Sequence, residues 1–79
     1  MRPKLAPIMR ETVINQAKKW GFICQQTTPD VWIILPQQPK EKWKLELVED
    51  RWLLIVKDIP QIYFHPHEVL AFLDRRRVP

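Results

Sequence analysis

Glycine is almost missing from this chain: Gly21 is the only one in 79 residues. There is no serine, and there are only one cysteine, Cys24, and two histidines, His65 and His67. Each shortage excludes a class of chemistry. Without serine there is no serine nucleophile, and a single glycine does not build a phosphate-cradling loop. A lone cysteine forms no intramolecular disulfide and fits a reducing compartment better than an oxidising one. The longest apolar runs, Val31–Leu35 and Trp52–Val56, are five residues each. A membrane-spanning helix needs ~20. The first ten residues hold no run resembling the apolar core of a secretion signal. The expectation is a cytoplasmic protein that does not enter a membrane.

Candidate chemistry is equally sparse. Cys24 stands some forty residues from His65 and His67, and no CxxC, HExxH or acidic calcium loop accompanies them. Glu46, Glu49, Asp50 and Asp58 fall on strand edges and turns, where solvation accounts for them. The expectation is no enzyme: no catalytic residue, no metal, no cofactor and no small-molecule substrate.

Against these shortages stand eight prolines, four tryptophans and 46% hydrophobic residues. That composition makes a folded chain rather than a disordered one. The net charge is +4, from 13 basic and 9 acidic residues. A domain of this size buries only about 60% of its unfolded surface, so oligomerisation is the usual support once disulfides and metals are gone.

With glycine scarce, proline does most of the punctuating, and turns that need positive φ are expected to be few. Pro7 suits a first helical turn, and Met9, Val13, Ile14, Ala17 and Trp20 then recur at helical spacing. Lys18 and Lys19 suit the last turn, and Gly21 the left-handed residue after it. Short strand-like segments follow at Phe22–Gln26, Val31–Leu35, Trp43–Val48, Trp52–Val56 and Ile62–Phe64. Pro66 opens a second helix, with Glu68 in its first turn and Val69, Leu70, Phe72 and Leu73 as its stripe. The fold class is α+β: an N-terminal helix, an antiparallel sheet of four or five short strands, and a C-terminal helix. One domain spans 7–77, with a flexible tail at 1–6 and a free end at 78–79. The element order overlaps that of double-stranded RNA-binding domains. The second helix lacks their lysine-rich N-terminus and their glycines, so no family is assigned.

The register of one hairpin is readable. An even-numbered loop at Glu49-Asp50 pairs Leu47 with Trp52, Leu45 with Leu54 and Trp43 with Val56, all on one face. An odd loop mixes Glu46 and Lys57 into that set, and a slip of one residue reverses every side chain. Glu-Asp is a poor type I′ dipeptide, which favours a four-residue loop over a two-residue one. Trp43, Trp52 and Trp20 then belong to the core, and Trp32 alone is left to be exposed.

The other face of the hairpin carries Val48, Leu53 and Ile55 among Lys44, Glu46, Arg51 and Lys57. It needs a second cover, which is either the first helix or another molecule. The leading expectation is a non-catalytic module that self-associates, as a homodimer, or docks on a partner protein through Trp32, Val48, Leu53 and Ile55. The alternative is a basic nucleic-acid-binding protein that uses Lys40, Lys42 and Lys44 with Arg75, Arg76 and Arg77. The first requires an apolar patch around Leu53 and Ile55. The second requires the two basic clusters to share one surface.

Overall fold

A computed structural model describes residues 5–77, with side chains from Arg10 onward. The elements run α1 (Leu5–Lys19), β1 (Ile23–Thr28), β2 (Val31–Leu35), β3 (Trp43–Val48), β4 (Arg51–Val56), β5 (Ile59–Phe64) and α2 (Pro66–Arg76). The strands form one antiparallel sheet in the order β1-β2-β3-β4-β5. Leu5 and Ala6, expected in the tail, are helical. The side chain of Met9 and the expectations for residues 1–4 and 78–79 lie outside the described residues.

Gly21 ends α1 as its position implies. Its φ is +93°. Its N–H donates to the Lys18 carbonyl at 3.0 Å, and that of Phe22 to the Ala17 carbonyl at 2.9 Å. This pair of bonds is the Schellman arrangement, completed by the buried contact partners Phe22 and Ala17. A Cβ at Gly21 would stand 2.8 Å from Gln37 Nε2, which itself donates to the Trp20 carbonyl at 2.9 Å.

The central hairpin has the expected register: Trp43 opposite Val56, Leu45 opposite Leu54, Leu47 opposite Trp52. Its loop, however, is two residues long, because Val48 also pairs with Arg51. Glu49 and Asp50 take φ of 53° and 63°, the type I′ conformation that their identities disfavour. Lys57 and Asp58 repeat this between β4 and β5, at 52° and 66°. Four non-glycine residues therefore adopt the left-handed region that a glycine-poor chain was expected to avoid. The cause is the right-handed twist of the flanking strands, which only primed turns match; the sheet outweighs the local preference.

β5 is longer than the sequence suggests and includes Pro60. Proline is tolerated there because β5 is an edge strand with no outer ladder to supply. In α2, the Glu68 carboxylate accepts the His65 backbone N–H at 2.7 Å, closing the first turn.

Both helices pack on the same face of the sheet. Val13, Ile14 and Ala17 of α1 and Val69 and Leu73 of α2 join Phe22, Ile34, Trp43, Leu45, Leu47 and Trp52 in one buried cluster. Trp52 is 1% exposed. Phe72 is half-buried and stands edge-on to Trp43, with ring centroids 5.0 Å apart. The helices choose this face because β3 shows only apolar side chains on it, whereas its other face shows Lys44 and Glu46.

Backbone conformation sets two opposite expectations. Gly21→Ala should lower stability by about 1–2 kcal/mol, because a Cβ is strained at this φ and meets Gln37. Asp58→Gly should raise stability by roughly 0.5–1 kcal/mol, the left-handed strain relieved less the entropy that glycine adds to the unfolded chain. Urea titrations of the two variants check both signs, and equal midpoints for Asp58→Gly and the parent would show that the strain in its turn is no larger than the entropy glycine adds.

Candidate interaction surfaces

The opposite face of the sheet has no helix over it. The register places Ile23, Leu35, Lys44 and Ile55 across one end of this face, and Ile33, Glu46, Leu53 and Tyr63 across its middle. Val31, Val48 and Arg51 lie at the far end. Ile23 is 48% exposed, Val48 37% and Tyr63 49%. Ile55 is only 8% exposed, because it lies in the floor of a groove under the loop 36–42, so it is not part of an exposed patch. Arg51 lies 4.4 Å over the Tyr63 ring. Val48, Leu53 and Ile55 therefore share this face, but the expected patch around Leu53 and Ile55 is only partly exposed, since the loop 36–42 buries Ile55.

Trp32 is not with them. It pairs with Leu47 and so faces the helices, where it packs on the core beneath Lys18 Nζ at 5.4 Å from the ring. Val31, Ile33 and Leu35 take the open face instead. The sequence left this parity undecided because the seven residues between β2 and β3 transmit no register.

The edges of the sheet are less available than its face. β1 is irregular between Gln26 and Thr28, and β5 carries an extra residue, Gln61, against the Leu54–Ile55 step and has Pro60 beside it. Such bulges and prolines protect edges from pairing with another strand. At one end of the open face, Ile23, Leu35 and Ile55 floor a groove of about 350 Å³ under the loop 36–42, with Lys42, Lys44 and Asp58 on its rim.

That same end collects the basic residues. The Lys57 N–H donates to the Lys42 carbonyl at 2.9 Å, tying the β4–β5 turn to the loop. Gln37 ties the loop to the end of α1, and Arg77 lies 4.8 Å over the Trp20 ring, tying α2 to α1. Both helices therefore end here. Lys18 and Lys19 come from α1, Arg75, Arg76 and Arg77 from α2, and Lys40, Lys42, Lys44 and Lys57 from the loop, β3 and the turn. The carboxylates at this end are Glu41, bonded to Trp43 Nε1 at 2.7 Å, Asp74, bonded to Arg77 at 2.8 Å, and Asp58. The clusters Lys40–Lys44 and Arg75–Arg77 thus share one end of the molecule, the first on the side of the open face and the second on the helix layer. Lys19 and Lys57 join them, as does the backbone of Lys18, whose ammonium turns to the Trp32 ring. At the opposite end the charge reverses: Glu11, Asp30, Glu49, Asp50 and Glu68 accompany Arg10 and Arg51. Arg10 reaches Asp50 at 3.4 Å.

Cys24 faces the core, and its thiol donates a long hydrogen bond of 3.9 Å to the Ile14 carbonyl. Burial pushes its pKa up, against a smaller lowering by Lys18. The rings of His65 and His67 stack on each other, with centroids 5.8 Å apart. Among the described residues, no three His, Cys, Asp or Glu side chains converge as a metal site does. Comparison with known proteins finds no matching family model, no matching curated protein and no matching solved structure.

The raised pKa makes Cys24 a slow nucleophile, since the thiolate is the reactive form. Iodoacetamide should label it several-fold more slowly in the folded protein than in urea at the same mildly alkaline pH. The native state also holds this proton more tightly than the unfolded chain does. Its contribution to stability is therefore full below the ordinary cysteine range and is lost as the pH rises through the native value. Equal labelling rates in the two states would place the thiol in solvent.

Proposed function

We propose that this protein is a non-catalytic interaction module that self-associates through the open face of its sheet. The observation carrying this reading is that α1 and α2 cover the same face, which leaves Ile23, Ile33, Val48, Leu53 and Tyr63 with no helix over them. An exposed face on which apolar side chains flank a central pair of opposite charges, Lys44 and Glu46, is suited to an interface. The bulged edges favour face-to-face packing over extension of the sheet.

Charge complementarity commits the occupant to a second copy. Ile34, Leu45 and Leu54 lie level on adjacent strands. A two-fold axis crossing the strands at that level sets Lys44 of each copy over Glu46 of the other. The same axis brings Ile33 and Leu53 of each copy to the groove that Leu35 and Ile55 of the other floor, so apolar side chains flank two ion pairs. It also lays the basic end of each copy over the acidic end of its partner. The other in-plane axis, along the strands, stacks Lys44 on Lys44. A self-complementary patch is what an isologous dimer requires. Five strands about 4.8 Å apart give a footprint of roughly 400 Å² per copy, half the ~800 Å² of a standard interface. The dimer is therefore expected to be weak and to dissociate on dilution.

Sedimentation equilibrium over a concentration series should show a monomer–dimer equilibrium. Val48→Lys with Leu53→Lys should retain the far-ultraviolet circular dichroism of the parent and stay monomeric throughout. Lys44→Glu should weaken the dimer, and adding Glu46→Lys should restore it. A parent protein that is monomeric at every concentration would falsify self-association. Failure of the double exchange to restore the dimer would instead reject only the orientation.

A further inference from the structure

We propose that the basic end binds nucleic acid through its phosphates, without regard to sequence. This does not rest on the self-association reading, because it starts from a different observation: cations gathered at one end of the molecule, those of α1 and α2 on its helix layer and Lys40 and Lys42 on the loop at the rim of the open face. In the face-to-face pair each basic end lies opposite the partner's acidic end on its sheet side, and its helix-layer cations stay on the outside of the assembly.

The ordinary account of cations at helix C-termini is the macrodipole, and it covers Lys18, Lys19, Arg75 and Arg76. It does not reach Lys40 and Lys42 on the loop or Lys57 on the turn. All three are exposed, and the chain brings them beside the helix ends from two further segments. Crowding like charges from four segments at one end costs folding free energy through self-repulsion, which a bound polyanion relieves. Asp74 neutralises Arg77 and Asp58 lies beside Lys57, but Glu41 is bonded to Trp43, and the cations still outnumber the carboxylates at this end.

The partner's chemistry follows from what accompanies these charges. A protein–protein interface has an apolar centre with aromatic anchors. The cations here are long, exposed side chains, and the aromatic rings near them lie beneath cations or in the core: Trp32 is half-buried under Lys18. Trp20 lies under Arg77, Phe72 under Arg76 at 3.8 Å, and Trp43 is buried. Without a free ring there is no platform on which a base stacks, so single-strand recognition of the stacking kind is absent from this surface. What remains is a set of phosphate contacts, in which arginine offers a two-pronged donor and lysine a point charge. Duplexes present one charge per ~1.7 Å of axis, twice the density of one strand, and are the better match.

Fluorescence anisotropy with labelled duplexes of about 20 base pairs, as DNA and as RNA, tests this against single strands of the same length. The expected result is binding at low salt that is tighter for duplex than for single strand and equal for unrelated sequences. Its affinity should fall steeply with salt, as counterion release dictates. Lys40→Ala, Lys42→Ala and Lys57→Ala together should weaken binding about tenfold at low salt and flatten the salt slope by roughly 2–3. The circular dichroism should be unchanged, since the Lys42–Lys57 backbone bond survives. Arg75→Ala with Arg76→Ala should act in the same direction. The proposal is overturned by no binding at low salt, by indifference to both sets of substitutions, or by preference for one sequence. Polyglutamate binding as tightly as duplex of equal charge also overturns it, in favour of an acidic protein partner.

Discussion

The pairing of Leu45 and Leu47 with Leu54 and Trp52 is the constraint on which the rest of this structure depends. It gives the centre of the sheet one wholly apolar face, and that face is the only one on which two amphipathic helices bury their stripes without covering a charge. Once α1 and α2 are there, the opposite face is uncovered by default, with Lys44 and Glu46 at its middle. The same antiparallel meander, with two-residue turns on either side of β4, brings the ends of both helices to one end of the molecule. The apolar face and the basic end are thus two outcomes of a single packing decision.

Local preferences gave way to that decision at identifiable places. Glu49, Asp50, Lys57 and Asp58 adopt left-handed backbone against the habit of their side chains, at about 1–2 kcal/mol each. The gain is a continuous ladder through β3, β4 and β5 and a twist that wraps the sheet around the helices. Glycine is spent only at Gly21, where a Schellman turn and the close approach of Gln37 leave no room for a side chain.

Much of the fold was legible because period-two and period-3.6 patterns are local. The hairpin register, the end of α1 at Gly21, the opening of α2 at Pro66 and the burial of Trp43 and Trp52 all follow from residues close in sequence. The grouping of Val48, Leu53 and Ile55 on one face follows in the same way. Trp32 was misplaced for a definite reason. β2 is apolar on both faces, so its own pattern has no preferred side, and the seven-residue loop to β3 hides the parity. The length of the hairpin loop was misjudged because dipeptide preference competes with strand twist, and twist is a property of the assembled sheet.

By itself, the sequence determined the elements, the central register and the scarcity of catalytic groups, since each rests on neighbours along the chain or on which residues are present at all. Only the tertiary structure decided which face the helices cover, where Trp32 points, and that Lys19 and Lys57 join Lys40–Lys44 and Arg75–Arg77 at one end. Those facts depend on the direction in which separate segments arrive, and that direction follows from how helices and strands pack rather than from any spacing between residues.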